Sequence, residues 1–215
     1  MTQITRIIMQ AARATAGLLL VAFPLVASGA ARAQNSTLVI ADLDGEKIQT
    51  KSGLFLMAIA DEQFGGTSEA QMSLIHPGAN ASRGALRISF RVTNDFPAPF
   101  AGAWAMLGAE GLATDLSAYR GVRFYVRSKD GAAYTLGILQ YSDQTRRYLA
   151  PFEAGPEWTL VELPFDKFRQ EMPGATPAAD APGLVPKDVT SIGFMASPQR
   201  RGQFDLDVDQ LELYR

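Results

Sequence analysis

Short runs of alternating apolar and polar residues are the feature that most constrains how this chain folds. Between Gly84 and Val92 every second residue is large and apolar, and the residues between them are two arginines and a serine. Residues 122–126 repeat the pattern. Successive side chains of a strand point to opposite faces, so this alternation predicts antiparallel strands with one buried and one solvated face.

The same pattern continues along the chain, in short runs separated by Gly, Pro, Asn and Asp. It predicts further strands at residues 37–41, 100–107, 133–141, 147–153, 158–163, 189–196 and 204–214. Two or three more are expected before Gly84. The apolar phase changes within the last strand, which predicts a β-bulge near Asp209 or Gln210. Helix is expected only as turns at Asp115–Tyr119 and Phe165–Gln170. These elements predict an all-β antiparallel sandwich.

The first 33 residues are typical of a secretory signal peptide. Arg6 and Arg13 precede an apolar run, and Ala31-Arg32-Ala33 ends in the small residues that a signal peptidase requires. A membrane anchor is the alternative, but the run contains Pro24 and is shorter than the roughly 20 residues that span a bilayer. We therefore predict cleavage before Gln34, export to the periplasm or beyond, and no membrane span in the mature protein.

Removing 33 residues from the 215 leaves 182, a length that suits a single domain, residues 34–215. The mature chain then has 17 basic and 22 acidic residues, a net charge of −5. This charge disfavours nucleic acid as a partner. Cysteine is absent, which excludes disulfides and thiolate metal sites, and the glycine motifs of nucleotide-binding folds are absent too.

Five stretches of the chain resemble the complex I intermediate-associated protein 30 family. They are Asp115–Arg127 (DLSAYRGVRFYVR), Trp158–Phe168 (WTLVELPFDKF), Ser191–Phe194, Gly202–Leu206 and the earlier Asp61–Ser68 (DEQFGGTS). The resemblance implies a galactose-binding-like jelly roll, a fold shared with many carbohydrate-binding modules. It also implies a role as an assembly chaperone of respiratory complex I. An export signal would give this chain different partners from the family members of the mitochondrial matrix.

Polar and aromatic side chains beside the core are candidates for ligand binding, because a sugar ring offers an apolar face and a rim of hydroxyls. They form one patch if their strands are neighbours, and ordinary strand surface is the alternative. The candidates are Arg123, Tyr125, Arg127, Gln140, Tyr141, Arg147, Tyr148 and Trp104. By contrast, we expect Trp158 to lie in the core.

Alternating aspartates on the last strand suggest a structural calcium ion, which takes oxygen ligands. The candidate ligands are Asp205, Asp207 and Asp209, with Asp42 or Asp44 of the first strand beside them. A solvated strand edge is the alternative interpretation. We expect no other cofactor.

Catalysis has weaker support in the sequence. His76 is the only histidine, it lies in a predicted turn, and no nucleophile motif accompanies it. The Pro-rich segment Met172–Pro186 is expected to be a surface loop, with a lid as the alternative. The sequence thus predicts a non-catalytic binding module for a protein partner. The alternatives are a carbohydrate-binding protein and, third, a hydrolase with an unrecognised site.

Overall fold

The computed structural model describes residues 37–142, 147–171 and 181–215. The predicted signal peptide and residues 172–180 of the predicted loop lie outside these ranges. Within them the chain forms twelve strands and five short 3₁₀ turns. Residues 35–215 group into one compact unit.

Two antiparallel sheets make up the fold, as the alternation predicted. The strands are β1 (Leu38–Ala41), β2 (Leu56–Ala60), β3 (Glu69–Ile75), β4 (Ala85–Val92), β5 (Ala101–Met106), β6 (Gly121–Arg127), β7 (Ala132–Gln140), β8 (Arg147–Ala154), β9 (Thr159–Pro164), β10 (Arg169–Glu171), β11 (Val189–Ala196) and β12 (Gly202–Tyr214). The first sheet has the order β3-β4-β12-β6-β9, with β1 also paired to β12, and the second has the order β10-β8-β7-β11-β5-β2. The 3₁₀ turns are Asp61–Phe64, Ala79–Ala81, Ala109–Gly111, Phe165–Lys167 and Pro186–Asp188.

The core lies between the sheets and is formed by the apolar phase of the strands. Phe124 of β6 is fully buried, and its ring meets Phe152 of β8 and Phe194 of β11 edge-on, at centroid distances of 5.1 and 4.9 Å. Edge-to-face contacts between rings of this kind add to the stabilisation from burial. Aromatic residues from both sheets therefore join the two halves of the sandwich.

The strands before Gly84, the bulge in β12 and the turn at Phe165–Gln170 were all expected from the sequence. The further strands expected before Gly84 are β2 and β3, which follow β1. The pairing of β12 with β6 shifts register between Asp209 and Glu212, which confirms the predicted bulge. The predicted helical turn at Phe165–Gln170 is wrong in its second half. There Arg169–Glu171 pairs with β8 as an edge strand, which satisfies backbone groups that a longer turn would leave free.

Candidate functional site

The outer face of the first sheet carries three of the candidate ligand residues. Arg123, Tyr125 and Arg127 are half-buried on β6, which pairs with β12 and β9. Asp207 of β12 is 4% exposed and accepts a hydrogen bond from Arg127 Nε at 2.8 Å. Arg123 Nε likewise donates to Glu212 at 2.8 Å. The arginines of this strand are thus paired within the sheet.

Asp207 also holds a second arginine on the same face. Arg87 donates to its two carboxylate oxygens at 2.7 and 2.9 Å, and Ser89 donates to Asp205 at 2.7 Å. Further along the face Arg91 pairs with Glu69. We call these paired arginines and carboxylates of the first sheet the charge ladder. The arginine N–H donors in it are already hydrogen-bonded to carboxylates.

Trp158 lies on this outer face and not in the core, so that expectation is wrong. It is half-buried beneath the Arg127 guanidinium, whose carbon is 4.6 Å from the ring centroid. The physical reason is the strand period: Trp158 is three positions from the inward-facing Val161 and therefore points to the opposite face.

The remaining candidates belong to the second sheet, so the single patch does not form. β7 and β8 neighbour each other there, whereas β6 belongs to the first sheet. Gln140 is buried and donates through Nε2 to the Val185 carbonyl at 3.1 Å, and Tyr148 is a buried part of the core. Tyr141 is 52% exposed at the end of β7. Trp104 and Arg147 remain, both in the outward phase of the second sheet.

Trp104 lies at the centre of a row of residues that crosses the outer face of the second sheet. Its indole lies across the backbone of two glycines: a Cβ added at Gly193 would be 2.3 Å from Cδ2, and one at Gly137 would be 2.7 Å from Cη2. Strand register aligns the row Met57, Trp104, Gly193, Gly137 and Leu149 across five strands. We call this row the cross-strand trough. Its Trp104 is 5% exposed.

Arg147 lies beside the trough, at the start of β8. Its guanidinium carbon is 5.8 Å from the centre of the Phe100 ring, although β7 and β11 separate β8 from β5. Its Nη2 is 3.5 Å from Glu171 Oε2, and its Nε makes no hydrogen bond. Burial lowers the pKa of the Arg147 guanidinium, while the Glu171 carboxylate favours the charged form. Arg147 is therefore a cation removed from water, and the described residues around it compensate its charge only in part.

A second polar atom on this face is also without a partner. The Thr135 hydroxyl is buried and makes no hydrogen bond, and Thr135 lies on β7, two residues from Gly137. Buried polar atoms are nearly always satisfied in folded proteins, so unsatisfied ones call for an explanation such as a bound molecule. Thr135 and Arg147 place two such atoms on one face.

The trough ends at an apolar edge formed by side chains of β2 and the loop after β5. Phe55 is 73% exposed, Met57 42% and Leu112 54%. Phe55 and Met57 are two residues apart and so share the outward face. Sequence reasoning missed this edge, as it missed Phe100 and the two glycines. A glycine in mid-strand often marks the close approach of another group, and it was the available signal for Gly137 and Gly193.

The aspartates suggested for calcium are not brought together. In the described part of the chain, no group of three or more His, Asp or Glu residues has the arrangement of a metal site. Asp42 pairs with Lys51, while Asp205 and Asp207 are held by the donors given above. Asp44 accepts from the Gly84 amide at 2.9 Å. The carboxylates serve as internal acceptors.

Asp209 is fully buried and anchors the turn at residues 79–82. It accepts hydrogen bonds from the Ala79 amide at 2.8 Å, the Ser82 hydroxyl at 2.5 Å and the Gln210 amide at 2.7 Å. Burial raises the pKa of the Asp209 carboxyl, against these hydrogen bonds, which lower it. His76 is exposed, with Nδ1 2.6 Å from the Arg83 carbonyl oxygen.

The motifs that resemble the family have structural roles here. Asp61 is fully buried and accepts from the Ser68 amide at 2.8 Å and the Phe100 amide at 3.0 Å. Gly66 leaves room for this carboxylate, since a Cβ there would lie 2.1 Å from Oδ1. Gly121 approaches Leu163 and Pro164 of β9 just as closely. These three residues hold loops and strand ends in place, whereas Gly193, within the quoted stretch Ser191–Phe194, belongs to the cross-strand trough.

No helix among the described residues has the length and apolar character needed to cross a membrane. Among curated proteins, no relative matches the chain.

Solved structures share the fold. A family 11 carbohydrate-binding module of the cellulosomal cellulase Lic26A-Cel5E of Clostridium thermocellum superposes with a TM-score of 0.61 at 16% identity, covering 83% of this chain and 94% of the module. The family 11 module from the same organism in complex with a β-1,3-1,4-mixed-linked tetrasaccharide gives 0.61 at 17%, covering 82% and 94%. A family 30 carbohydrate-binding module gives 0.50 at 15%, covering 66% and 82%. At these identities the likeness establishes the sandwich fold alone.

The sequence match is with the family that the motifs had indicated. The model of complex I intermediate-associated protein 30 matches residues 47–208, well over half of the chain. The match includes all five quoted stretches in full. The protein therefore belongs to the complex I intermediate-associated protein 30 family.

Proposed function

We propose that this protein is a non-catalytic binding domain that holds an extended saccharide in the cross-strand trough. The observation that carries the proposal is the difference between the outer faces of the two sheets. The first face has its arginines paired with carboxylates, whereas the second has an apolar row in which the indole of Trp104 lies over two glycines. Ligand sites combine such apolar lining with a few polar groups that orient the ligand.

The shape of the trough suits an extended chain. Gly193 and Gly137 carry no side chains in the middle of two adjacent strands, and the Trp104 indole occupies the space above them. Met57 and Leu149 continue the row on both sides and are more accessible than Trp104. Sugar rings bind apolar surfaces through their axial C–H faces, while hydroxyls at the rim need hydrogen-bond partners. Arg147 and Glu171 lie where they can supply them.

The fold likeness supports the same proposal. The family 11 module with which this chain shares its fold has a structure in complex with a mixed-linked tetrasaccharide. Fold alone does not transfer a function, so the trough must be tested directly.

The test is affinity electrophoresis of the purified protein in gels that contain polysaccharides, mixed-linked β-glucan among them. Met57→Gln makes the trough row polar without adding charge, and Leu160→Gln is its matched control on the first sheet. The two residues are 42% and 43% exposed. We expect Met57→Gln to lower affinity about tenfold, the effect of about 1.4 kcal/mol, and Leu160→Gln to leave it unchanged. Equal retardation of both variants, or none for the wild type, would overturn the proposal.

A protein partner is the second candidate, and the apolar edge favours it. Aromatic residues and methionine are enriched in protein interfaces, and Phe55 and Met57 are exposed side by side. The family's name points to association with an assembly intermediate of complex I. The test is capture from an envelope extract by the wild type and by Phe55→Ser. A partner that is lost with Phe55→Ser and unaffected by added sugar would replace the saccharide proposal.

We also propose that the protein acts outside the cytoplasm, as residues 1–33 indicate. Amino-terminal sequencing of the protein from its native cell envelope should begin at Gln34. A cytoplasmic protein that retains residues 1–33 would contradict this.

A further inference from the structure

Arg147 differs from the arginines of the first sheet in its charge compensation. Arg87, Arg123 and Arg127 donate to carboxylates at 2.7 to 2.9 Å. Arg147 Nη2 lies 3.5 Å from Glu171, which is beyond the usual length of a charged hydrogen bond. A guanidinium carries five N–H donors in a rigid fork, so most of those on Arg147 remain uncommitted among the described residues.

The surroundings of Arg147 also withhold water. Its side chain is 18% exposed, and its buried Nε has no acceptor. The Phe100 ring, 5.8 Å from the guanidinium carbon, excludes water and supplies a cation–π contact. A charge removed from water needs compensation from a charged partner or hydrogen bonds, and leaving it uncompensated is costly. Glu171, itself 34% exposed on the edge strand β10, provides only part of that compensation.

We infer that Arg147 binds a carboxylate of the ligand, so that the trough takes an acidic saccharide containing uronic acid units. A carboxylate matches the fork of a guanidinium with two parallel hydrogen bonds. The inference rests on the proposed function, because the apolar row must hold the sugar rings while Arg147 holds the acid group. To the proposed function this adds the ligand class, an acidic saccharide, and the residue that selects it, Arg147.

General electrostatic attraction does not account for such binding. The chain expected after signal cleavage has a net charge of −5, which repels a polyanion at long range. Retention of an acidic polysaccharide therefore reports a local site. Screening by added salt weakens the general repulsion more than a partly desolvated ion pair, so acidic ligands should remain bound at moderate salt.

The experiment compares the binding of acidic, esterified, sulfated and neutral polysaccharides. The probes are polygalacturonate, its methyl ester, alginate, a sulfated galactan and neutral mixed-linked β-glucan, with binding measured by affinity electrophoresis and calorimetry. We expect both polyuronates to bind at least about tenfold more tightly than the methyl ester, as the loss of a charge-assisted hydrogen bond predicts. The methyl ester keeps the sugar rings and removes only the charge.

Variants assign the effect to Arg147. Arg147→Gln should abolish the preference for the acid over the ester, and Arg147→Lys should retain a part of it, because an ammonium keeps the charge without the fork. Arg91→Gln on the first sheet is the control and should keep the full preference. Thermal unfolding of each variant shows that the fold is retained.

The outcomes separate the two proposals. Tight binding of neutral β-glucan that Arg147→Gln does not change overturns this inference and leaves the saccharide proposal standing. Preference for the sulfated galactan overturns the assignment of a carboxylate. Retention of none of the polymers overturns both.

Discussion

The outer faces of the two sheets are both built from strands of one sandwich, yet they manage polar groups in opposite ways. On the first face Asp207 binds Arg87 and Arg127, and Glu212 binds Arg123, so charge is compensated within the sheet. On the second face two mid-strand glycines make room for Trp104, and among the described residues Arg147 has the Phe100 ring and a carboxylate 3.5 Å away as its partners. Arginine donors that are hydrogen-bonded within the sheet are not available to a ligand. The second face carries two buried polar atoms without a hydrogen bond in the described part of the chain, which is why we propose it as the ligand-binding face.

The largest effect should come from breaking the charge ladder at its centre. Asp207→Ala removes the carboxylate shared by two arginines that are 30% and 33% exposed. Losing one partner of a buried ion pair costs several kcal/mol, and partial exposure reduces this to about 2–4 kcal/mol of unfolding free energy. Urea unfolding measures the loss. Asp205→Ala, at a position 48% exposed, is the control and should cost less than about 1 kcal/mol. Equal losses would contradict the central role of Asp207.

The next effect tests whether the second face depends on its glycines. Gly193→Ala places a Cβ 2.3 Å from the Trp104 ring and should lower the unfolding free energy by about 1–3 kcal/mol through overpacking. The displaced indole should also change its fluorescence. Gly155→Ala, where a Cβ meets nothing within 4 Å, should change stability by less than about 1 kcal/mol. A neutral Gly193→Ala would mean that Trp104 moves freely and that the trough is not a rigid floor.

A smaller effect contrasts one arginine from each face. Arg123→Gln breaks a pair at 2.8 Å whose side chains are 26% and 16% exposed, and should cost about 1–2 kcal/mol. Arg147→Gln removes a cation with weak compensation and should cost less than about 0.5 kcal/mol or stabilise the fold. Paired chemical denaturation curves measure both. A larger loss with Arg147→Gln would make Arg147 a structural residue.

The smallest effect concerns two aspartates of β12. Asp207 has arginine partners, whereas Asp209 has hydroxyl and amide donors, and burial raises its pKa. A raised pKa means that the native state holds the proton more readily than the unfolded chain, so this group's contribution becomes more favourable as the pH falls. The stability of the wild type relative to Asp209→Asn should therefore rise between pH 7 and pH 4. A fall over that interval would contradict the assigned direction.

The sequence was a good guide to elements that depend on local alternation. The bulge of β12 followed from the change of apolar phase between Val208 and Leu211. Trp158 shows where the same rule was misapplied, since its odd spacing from Val161 already placed it outside the core. The family resemblance carried the fold, and two residues of the quoted stretches, Asp61 and Gly121, have packing roles in it.

The candidate site was harder to predict, because it depends on which strands are neighbours. β6 and β7 are joined by a short turn at residues 128–131, which is typical of a hairpin, yet they enter different sheets. The predicted ligand patch is therefore divided between the two sheets. Arg147 and Trp104 lie on the outer face of the second sheet, but Met57 and Gly193, which flank Trp104 in the row, are 47 and 89 residues from it in sequence.

By itself the sequence determined the sandwich and most of its strands and inward faces, because period-two alternation and turn residues act over a few neighbouring positions, and its motifs indicated the family. Only the tertiary structure decided which strands share a sheet, which carboxylate each arginine reaches, and that Trp104 rests on Gly193 and Gly137. Those relations depend on register between strands that are distant in the chain, and register is set by packing of the whole core.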